Sequence, residues 1–411
     1  MLPLFYVFYH YFNLPFRAWE QRKVSDYAIN TYGGGTPKTN VPEYWSGEIP
    51  WIQSSDLLIS NLFNVIPKKY ITELAVKSSA TKFIPANSIA IVSRVGVGKL
   101  VFMPFEYTTS QDFLSLSNLQ VDSNFGVYSI YMMLQKELKN IQGTSIKGIT
   151  KTDLLEKNIN KPSSREEQQK IGAFFKQLDN TITLHQRKLD ALKLMKKGLL
   201  QQMFPNNEEE IPNVRFTDFD AMWEQRKLKS ITEKITRKNK ELESTLPLTI
   251  SAQDGLIDQN EYFNKIVASR NIRGYFLVKN GEFAYNKSYS KGYPWGVVKR
   301  LDNYDMGVLS TLYIIFKPIK INSDFLTKYF DSTYWYRAVS QFATEGARNH
   351  GLLNIAASDF FEIELNIPLN NEEQKKIGLF FQQLENTLIL HQNKLEKLSI
   401  LKKTYLKKMF I

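Results

Sequence analysis

The chain has 411 residues, of which 43% are hydrophobic and 13% aromatic, enough for two or three packed domains and too apolar for a disordered chain. It has no cysteine, which excludes disulfides, thiolate metal sites and cysteine nucleophiles and agrees with a reducing, cytoplasmic setting. A net charge of +12 and a pI near 9.3 favour a polyanionic partner.

The chain begins "MLPLFYVFYHYFNLPF", apolar and aromatic, but without a basic leader or a small-residue cleavage site and too short to span a bilayer. Residues 1–17 are expected to form an atypical segment packed on the first domain. No other stretch approaches transmembrane length, so no membrane association is expected. "TYGGGTPK" (Thr31 to Lys38) lacks the P-loop spacing, and Pro37 opposes a helix start there, so the glycines read as a tight exposed turn. "FIPANSIAIVSR" (Phe83 to Arg94) alternates as a strand after a turn at Asn87. It runs into "SRVGVGKL", a second near miss: Leu100 stands where a P-loop needs a hydroxyl, and Val101 where a dinucleotide turn needs glycine. "SNFGVYSIYMMLQKELKNI" from Ser123 reads as a capped amphipathic helix. Its Glu137-Leu138-Lys139 is a solvated charged face more readily than a nuclease motif. "NLPF" (Asn13 to Phe16) has no glycine-rich cofactor turn to accompany it, and neither His10 nor His350 completes a triad. The sequence carries no catalytic constellation and no metal site.

Further along, the chain repeats itself. "WEQRK" at Trp19 returns at Trp223, an offset of 204 (223 − 19). "EEQQKIGAFFKQLDNTITLHQRKLDALKLMKKGLLQQMF" from Glu166 returns from Glu372 as "EEQKKIGLFFQQLENTLILHQNKLEKLSILKKTYLKKMF", an offset of 206 (372 − 166). Even the preceding proline recurs, as Pro162 and Pro368. In each copy apolar residues step by four and three: Ile171, Phe175, Leu178, Ile182, His185 and Leu189, then Ile377, Phe381, Leu384, Leu388, His391 and Leu395. That is a coiled-coil seam with one polar break. At ~1.5 Å per residue each helix is on the order of 55–60 Å long and cannot bury its seam alone. Antiparallel pairing about a pseudo-twofold axis would bring His185 and His391 together at the midpoint as a register-setting pair.

Between these frames the sequences diverge but keep one plan. "FLVKNGEFAYNK" (Phe276 to Lys287) answers the strand at Phe83, with its turn at Asn280; "SDFLTKYFDSTYWYRAVSQF" from Ser323 answers the helix at Ser123. Glycine-bearing loops, "GTSIKGITKTDL" and "GARNHGLLNIAASDF", follow in each. The expected class is α+β: two α+β variable domains in tandem, separated by two long helices forming an antiparallel coiled coil. The segments are 1–17, 18–161 (domain), 162–205 (helix), 206–367 (domain) and 368–411 (helix).

The order "GGGTPKTNVPEYWSGEIPWIQSSDL", "SRVGVGKLVF", "WEQRK" twice and the two "EEQ-KIG-FF-QL-N" helices resembles the specificity subunit of type I restriction–modification systems, over nearly the whole span from Trp19 to Phe410. The resemblance implies that each variable domain is a target-recognition domain reading half of a bipartite double-stranded DNA target. The helices would act as spacer and as docking surface for two methyltransferase subunits. S-adenosylmethionine with adenine N6 methylation, and ATP with Mg, would belong to the methyltransferase and to two restriction/translocase subunits, leaving this chain non-catalytic and without a bound cofactor. The start, "FNLPFRAWEQRK", departs from the second copy's "VRFTDFDAMWEQRK".

The residues themselves support the same division of labour. Near-identical helices suit two identical partners, and divergent domains suit two different sequences. Matched side chains taken to face outward, Gln168 with Gln374 and Asn180 with Asn386, are the docking candidates. Major-groove reading needs basic, amide and aromatic side chains on loops. The candidates are Lys38, Arg94, Lys99, Ser145 and Lys147 in the first domain, and Tyr285, Lys287, Tyr289, Arg348, Asn349 and His350 in the second. The alternative is a stand-alone nucleic-acid-binding scaffold without methyltransferase partners.

Overall fold

A computed structural model of the chain describes residues 19–140, 148–205, 209–269, 271–288, 292–342, 353 and 355–410. The expected 1–17 segment lies outside them. The chain divides into two units, residues 1–186 with 393–411 and residues 187–392. The division falls inside the long helices, so each unit holds one α+β domain, the start of its own helix and the end of the other.

In the first unit the "EQRK" of the repeat is strand β1 (Glu20–Lys23), paired antiparallel with β9 (Asn158–Lys161), so the chain enters and leaves the domain side by side. The domain's main sheet has the order β2 (Ala28–Gly33), β8 (Phe113–Leu119), β5 (Ser88–Val92), β6 (Leu100–Met103), all antiparallel. A smaller sheet has β4 (Lys69–Ile71), β3 (Ile49–Ile52) and β7 (Thr108–Thr109). The alternation in "SIAIV" suggests a half-buried strand, but β5 is buried along its whole length. Its two faces go to different cores. Ile89 and Ile91 join the cluster under helix α1 (Ser123–Asn140), while Ala90 and Val92 join a cluster with Ile52, Met103 and Tyr107.

The second unit repeats the frame. β10 (Glu224–Lys227) pairs with β19 (Glu364–Ile367), and the main sheet has the order β11 (Thr232–Ile235), β18 (Ile314–Pro318), β15 (Phe283–Asn286), β16 (Val297–Arg300). Hairpins β12–β13 (Leu248–Ser251, Gly255–Asp258) and β14–β17 (Phe276–Lys279, Met306–Leu309) take the place of the small sheet. In "FLVKNGEFAYNK" the strand expected after the turn at Asn280 is β15, and the residues before the Asn280-Gly281 turn, with Gly281 at φ +81°, form a further strand, β14, in another sheet. The helix expected from Ser323 also breaks. Helix α3 (Ser323–Asp331) stops and a short helix restarts at Trp335, whose indole donates to the carbonyls of Phe330 and Ser332.

The long helices are α2 (Arg165–Gln202, 38 residues) and α4 (Asn371–Met409, 39 residues). Within each unit their segments run antiparallel. In the first, Phe174 packs on Tyr405 at 5.7 Å and Lys402 ion-pairs Asp179 at 2.5 Å. In the second, Lys196 pairs Glu385 at 2.6 Å. The two ion pairs are one contact carried through the repeat offset of 206 (402 − 196 and 385 − 179). The third partner differs between copies: the Tyr128 hydroxyl donates to Asp179 at 2.7 Å, and the Lys328 ammonium to Glu385 at 2.6 Å. Of the seam residues, Ile171, Phe175, Leu178, Leu189, Ile377, Phe381, Leu384, His391 and Leu395 are buried, and Ile182, His185 and Leu388 are half-buried. Ile171 and Phe175, like Ile377 and Phe381, also belong to the core of their own α+β domain. His185 falls in the first unit and His391 in the second.

Candidate nucleic-acid interface

The repeated motif residues are mostly structural. Each entering tryptophan donates its indole N–H to a helix glutamate, Trp19 to Glu167 and Trp223 to Glu373, both at 3.2 Å. Gln168 and Gln374 correct the expectation that they face a partner: they are 3% and 4% exposed. Gln168 donates to the Pro162 carbonyl and accepts from Asp122 N; Gln374 does the same with Pro368 and Asn322. These bonds clamp the helix start onto the strand leaving the domain and onto the start of α1 or α3. The glycine four residues on has the same purpose: a Cβ on Gly172 would lie 2.6 Å from Phe125 N, and one on Gly378 2.7 Å from Asp324 Cβ. Asn180 and Asn386 are exposed.

An aromatic knot closes each unit. Phe410, at the end of α4, packs on Trp19, Phe125 and Phe175 with centroids 5.5–5.8 Å apart. Phe204, after the end of α2, packs on Trp223, Phe325 and Phe381 at 5.7–6.4 Å. Each helix thus ends in the domain of the other repeat.

In the first domain the candidate reading surface lies at the β5–β6 connection. Gly96 and Gly98, with φ of +92° and +96°, turn the loop and leave Arg94 exposed at its base. Lys99 is half-buried and its ammonium donates to the Ser54 carbonyl at 3.0 Å, bracing the loop. Lys38 is exposed; its carbonyl accepts from Trp45 Nε1. Ser145 and Lys147 lie outside the described residues. The loop and residues 148–151 line a cleft of about 760 Å³. Lys151, at its edge, escaped the sequence reading. It is half-buried, and burial, then the charges of Arg94 and Lys82, push its ammonium below the ordinary lysine range.

The "TYGGGTPK" glycines differ from the expected turn. They continue the edge of β2 without positive φ, and each is small because something lies against it. A Cβ on Gly33 would meet the Lys151 ammonium at 2.3 Å, one on Gly34 the Ser110 carbonyl at 2.0 Å, and one on Gly35 the Ala80 backbone at 2.5 Å. Close approach, not backbone reversal, selects glycine here.

In the second domain Tyr285 is not a base reader. It is fully buried, stacks on Phe360 at 4.4 Å and donates its hydroxyl to the Trp295 carbonyl. As a residue of β15 it points to the α3 side of the sheet, where period-two alternation places every second side chain. Lys287 is half-buried and donates to the Ile355 carbonyl at 3.2 Å, while its own carbonyl accepts from Leu353 N. Tyr289, Arg348, Asn349 and His350 lie outside the described residues. The cleft of this domain, about 860 Å³, is lined by neutralised charges. Lys299 pairs Asp331, Lys328 pairs Asp331 and Glu385, and Arg300 pairs Asp302 and Asp324. Burial alone would raise the Asp331 and Glu385 carboxyls, but Lys299 and Lys328 beside the first, and Lys328 and Lys196 beside the second, hold both below their usual range. Among the described residues no group of three or more His, Cys, Asp or Glu could hold a metal ion, and no helix is long and apolar enough to cross a membrane.

Residues 17–194 match the family model described as the type I restriction modification DNA specificity domain. The chain is 30% identical over 230 residues to the type I restriction enzyme MjaIX specificity subunit of Methanocaldococcus jannaschii, covering 52% of each protein. It is 35% identical over 170 residues to the EcoR124I/EcoR124II specificity subunit of Escherichia coli, covering 37% of this chain and 40% of that one. The matched region thus spans about half the length of these curated relatives or less. In fold, the chain is similar to the crystal structure of the type I restriction–modification S subunit from M. genitalium, with a TM-score of 0.59 at 16% identity over 98% of both chains. A second solved chain, from work on assembly and conformational transition of a type I R-M system, matches with a TM-score of 0.52 at 14% identity, over 96% of this chain and 98% of that one.

Proposed function

We propose that this chain is a DNA specificity subunit of a type I restriction–modification system and reads a bipartite, interrupted DNA target with one recognition domain per half. The observation that carries this reading is the pattern of sameness and difference. The main sheets share one strand order, and the β1–β9 and β10–β19 pairs share one register, whereas the loops and small sheets differ. A shared frame with divergent reading edges is what two different half-sites require.

The helices set the half-site spacing and dock two copies of a methyltransferase subunit. With Gln168 and Gln374 internal, the docking candidates shrink to matched exposed positions on one helical face: Gln177, Asn180 and Leu184 in the first unit, Gln383, Asn386 and Leu390 in the second. Leu184 and Leu390 are 65% and 53% exposed, an apolar outlay that packing within the chain does not explain. Adenine N6 methylation with S-adenosylmethionine, and ATP- and Mg-dependent translocation and cleavage, belong to the partner subunits, and this chain contributes no catalytic group. Co-expression tests the reading: one copy of this chain should purify with two methyltransferase chains, and Leu184→Asp with Leu390→Asp should release both. A chain that stays alone and binds its specific DNA at full affinity would instead be a free-standing scaffold.

A further inference from the structure

Of the two clefts, only that of the first domain has basic side chains without an acidic counterweight. From Lys82 to Phe105 the sequence has no Asp or Glu, and the stretch includes Lys82, Arg94 and Lys99. Lys99 is spent on the Ser54 carbonyl; Lys82 and Arg94 are exposed. Lys151 comes to the same cleft from residues 148–151, with its ammonium directly over Gly33 of β2. The charges that act on it are those of Arg94 and Lys82, both positive. The second domain shows what a merely structural lysine looks like in this fold: Lys299 and Lys328 are each paired with carboxylates. A half-buried ammonium held among cations is uncomfortable until an anion arrives.

Resting on the reading of the first domain as a DNA-recognition domain, we propose that Lys151, seated on Gly33 and flanked by Arg94 and Lys82, is the binding group for a backbone phosphate of the first half-site. The glycine is part of the device. Among the described residues, apart from its own chain neighbours, only the ammonium and Cε of Lys151 lie within 4 Å of a Cβ placed on Gly33, so the missing side chain serves to admit that ammonium. Lys151 positions the duplex on the domain, and the bases are read by neighbouring loops.

The test uses the complete complex with its methyltransferase partners and a duplex carrying the methylated target. Lys151→Met should weaken binding about tenfold at physiological salt, equally for cognate and unrelated duplexes, and lower the slope of log K against log[salt] by about 1. Gly33→Ala keeps every charge and meets only the flexible end of a lysine, so the protein should melt as the parent does. It should nevertheless weaken binding, and the double variant should be no worse than Lys151→Met alone. An unchanged salt slope in Lys151→Met, or independent multiplying effects of the two substitutions, overturns the proposal. A relaxed first half-site in the methylated motif with the slope intact also overturns it, because Lys151 would then be reading a base. If the parent complex shows no preference for its own target, it is the recognition reading that fails, a result separable from any of these.

Discussion

The glutamines and glycines of "EEQ-KIG" show how a repeated residue can mislead. Matching across two copies suggested an outward contact, yet Gln168 and Gln374 each bridge a carbonyl and an amide inside their own unit. Periodicity alone could have warned of this, since Gln168 is three residues before Ile171 and shares its face. Gln168→Leu should cost about 2–4 kcal/mol in urea unfolding, because the Pro162 carbonyl and the Asp122 amide lose their partners while still covered. A surface-docking glutamine would change the midpoint by a few tenths. Tyr285 was misplaced for a related reason: "FAYN" has the alternation of a strand, but the sequence does not say which face is the inner one. The carboxylates of the second cleft give a pH signature. Asp331 and Glu385 have folded pKa values below their ordinary 3.8 and 4.5, so the stability they confer is complete above the unfolded values and drains as pH falls through the folded ones. The second unit should weaken in melts taken below about pH 4.5, and Glu385→Gln should flatten that part of the profile. A profile unchanged by Glu385→Gln would mean that the Lys196–Glu385–Lys328 cluster adds nothing.

At the scale of elements, the duplicated helices were legible because apolar steps of four and three, sustained over about five turns and repeated in both copies, mark a coiled-coil helix. What the sequence hid was where they end. Phe204 and Phe410 look like the tail of a coiled coil, but each completes the aromatic knot of a recognition domain beside Trp223 or Trp19. The matched "MF" at both ends is the trace of that contact in the sequence. Phe410→Ala should cost the first unit about 2–4 kcal/mol, with faster amide exchange in β2, β5 and β8 and none gained in β11, β15 and β18. Phe204→Ala should do the reverse. The recognition domains were legible only in outline, since short strands of sheets buried on both faces lack the clean alternation that marks an amphipathic strand. Gly33, Gly34 and Gly35 needed coordinates too: a glycine that admits a neighbour's atoms cannot be told from one that turns the chain until the neighbour is seen.

For the whole molecule, we propose that two domains on one frame read two halves of one interrupted DNA word. The main sheets share one strand order and the strand pairs that carry each domain share one register, so the proposed reading places the difference in target in the divergent edges. One such edge is the segment from Phe83 to Val101, which includes β5, Arg94 and the glycine loop. The most direct measurement is the methylated motif in the genome of a host that expresses this chain with its partners, mapped before and after residues 83–101 are exchanged for those of a relative with a different target. The expected result is an interrupted motif of two short words, of which the exchange alters one and leaves the other word and the gap intact. A single continuous word, or a motif with both halves changed or neither, would contradict it.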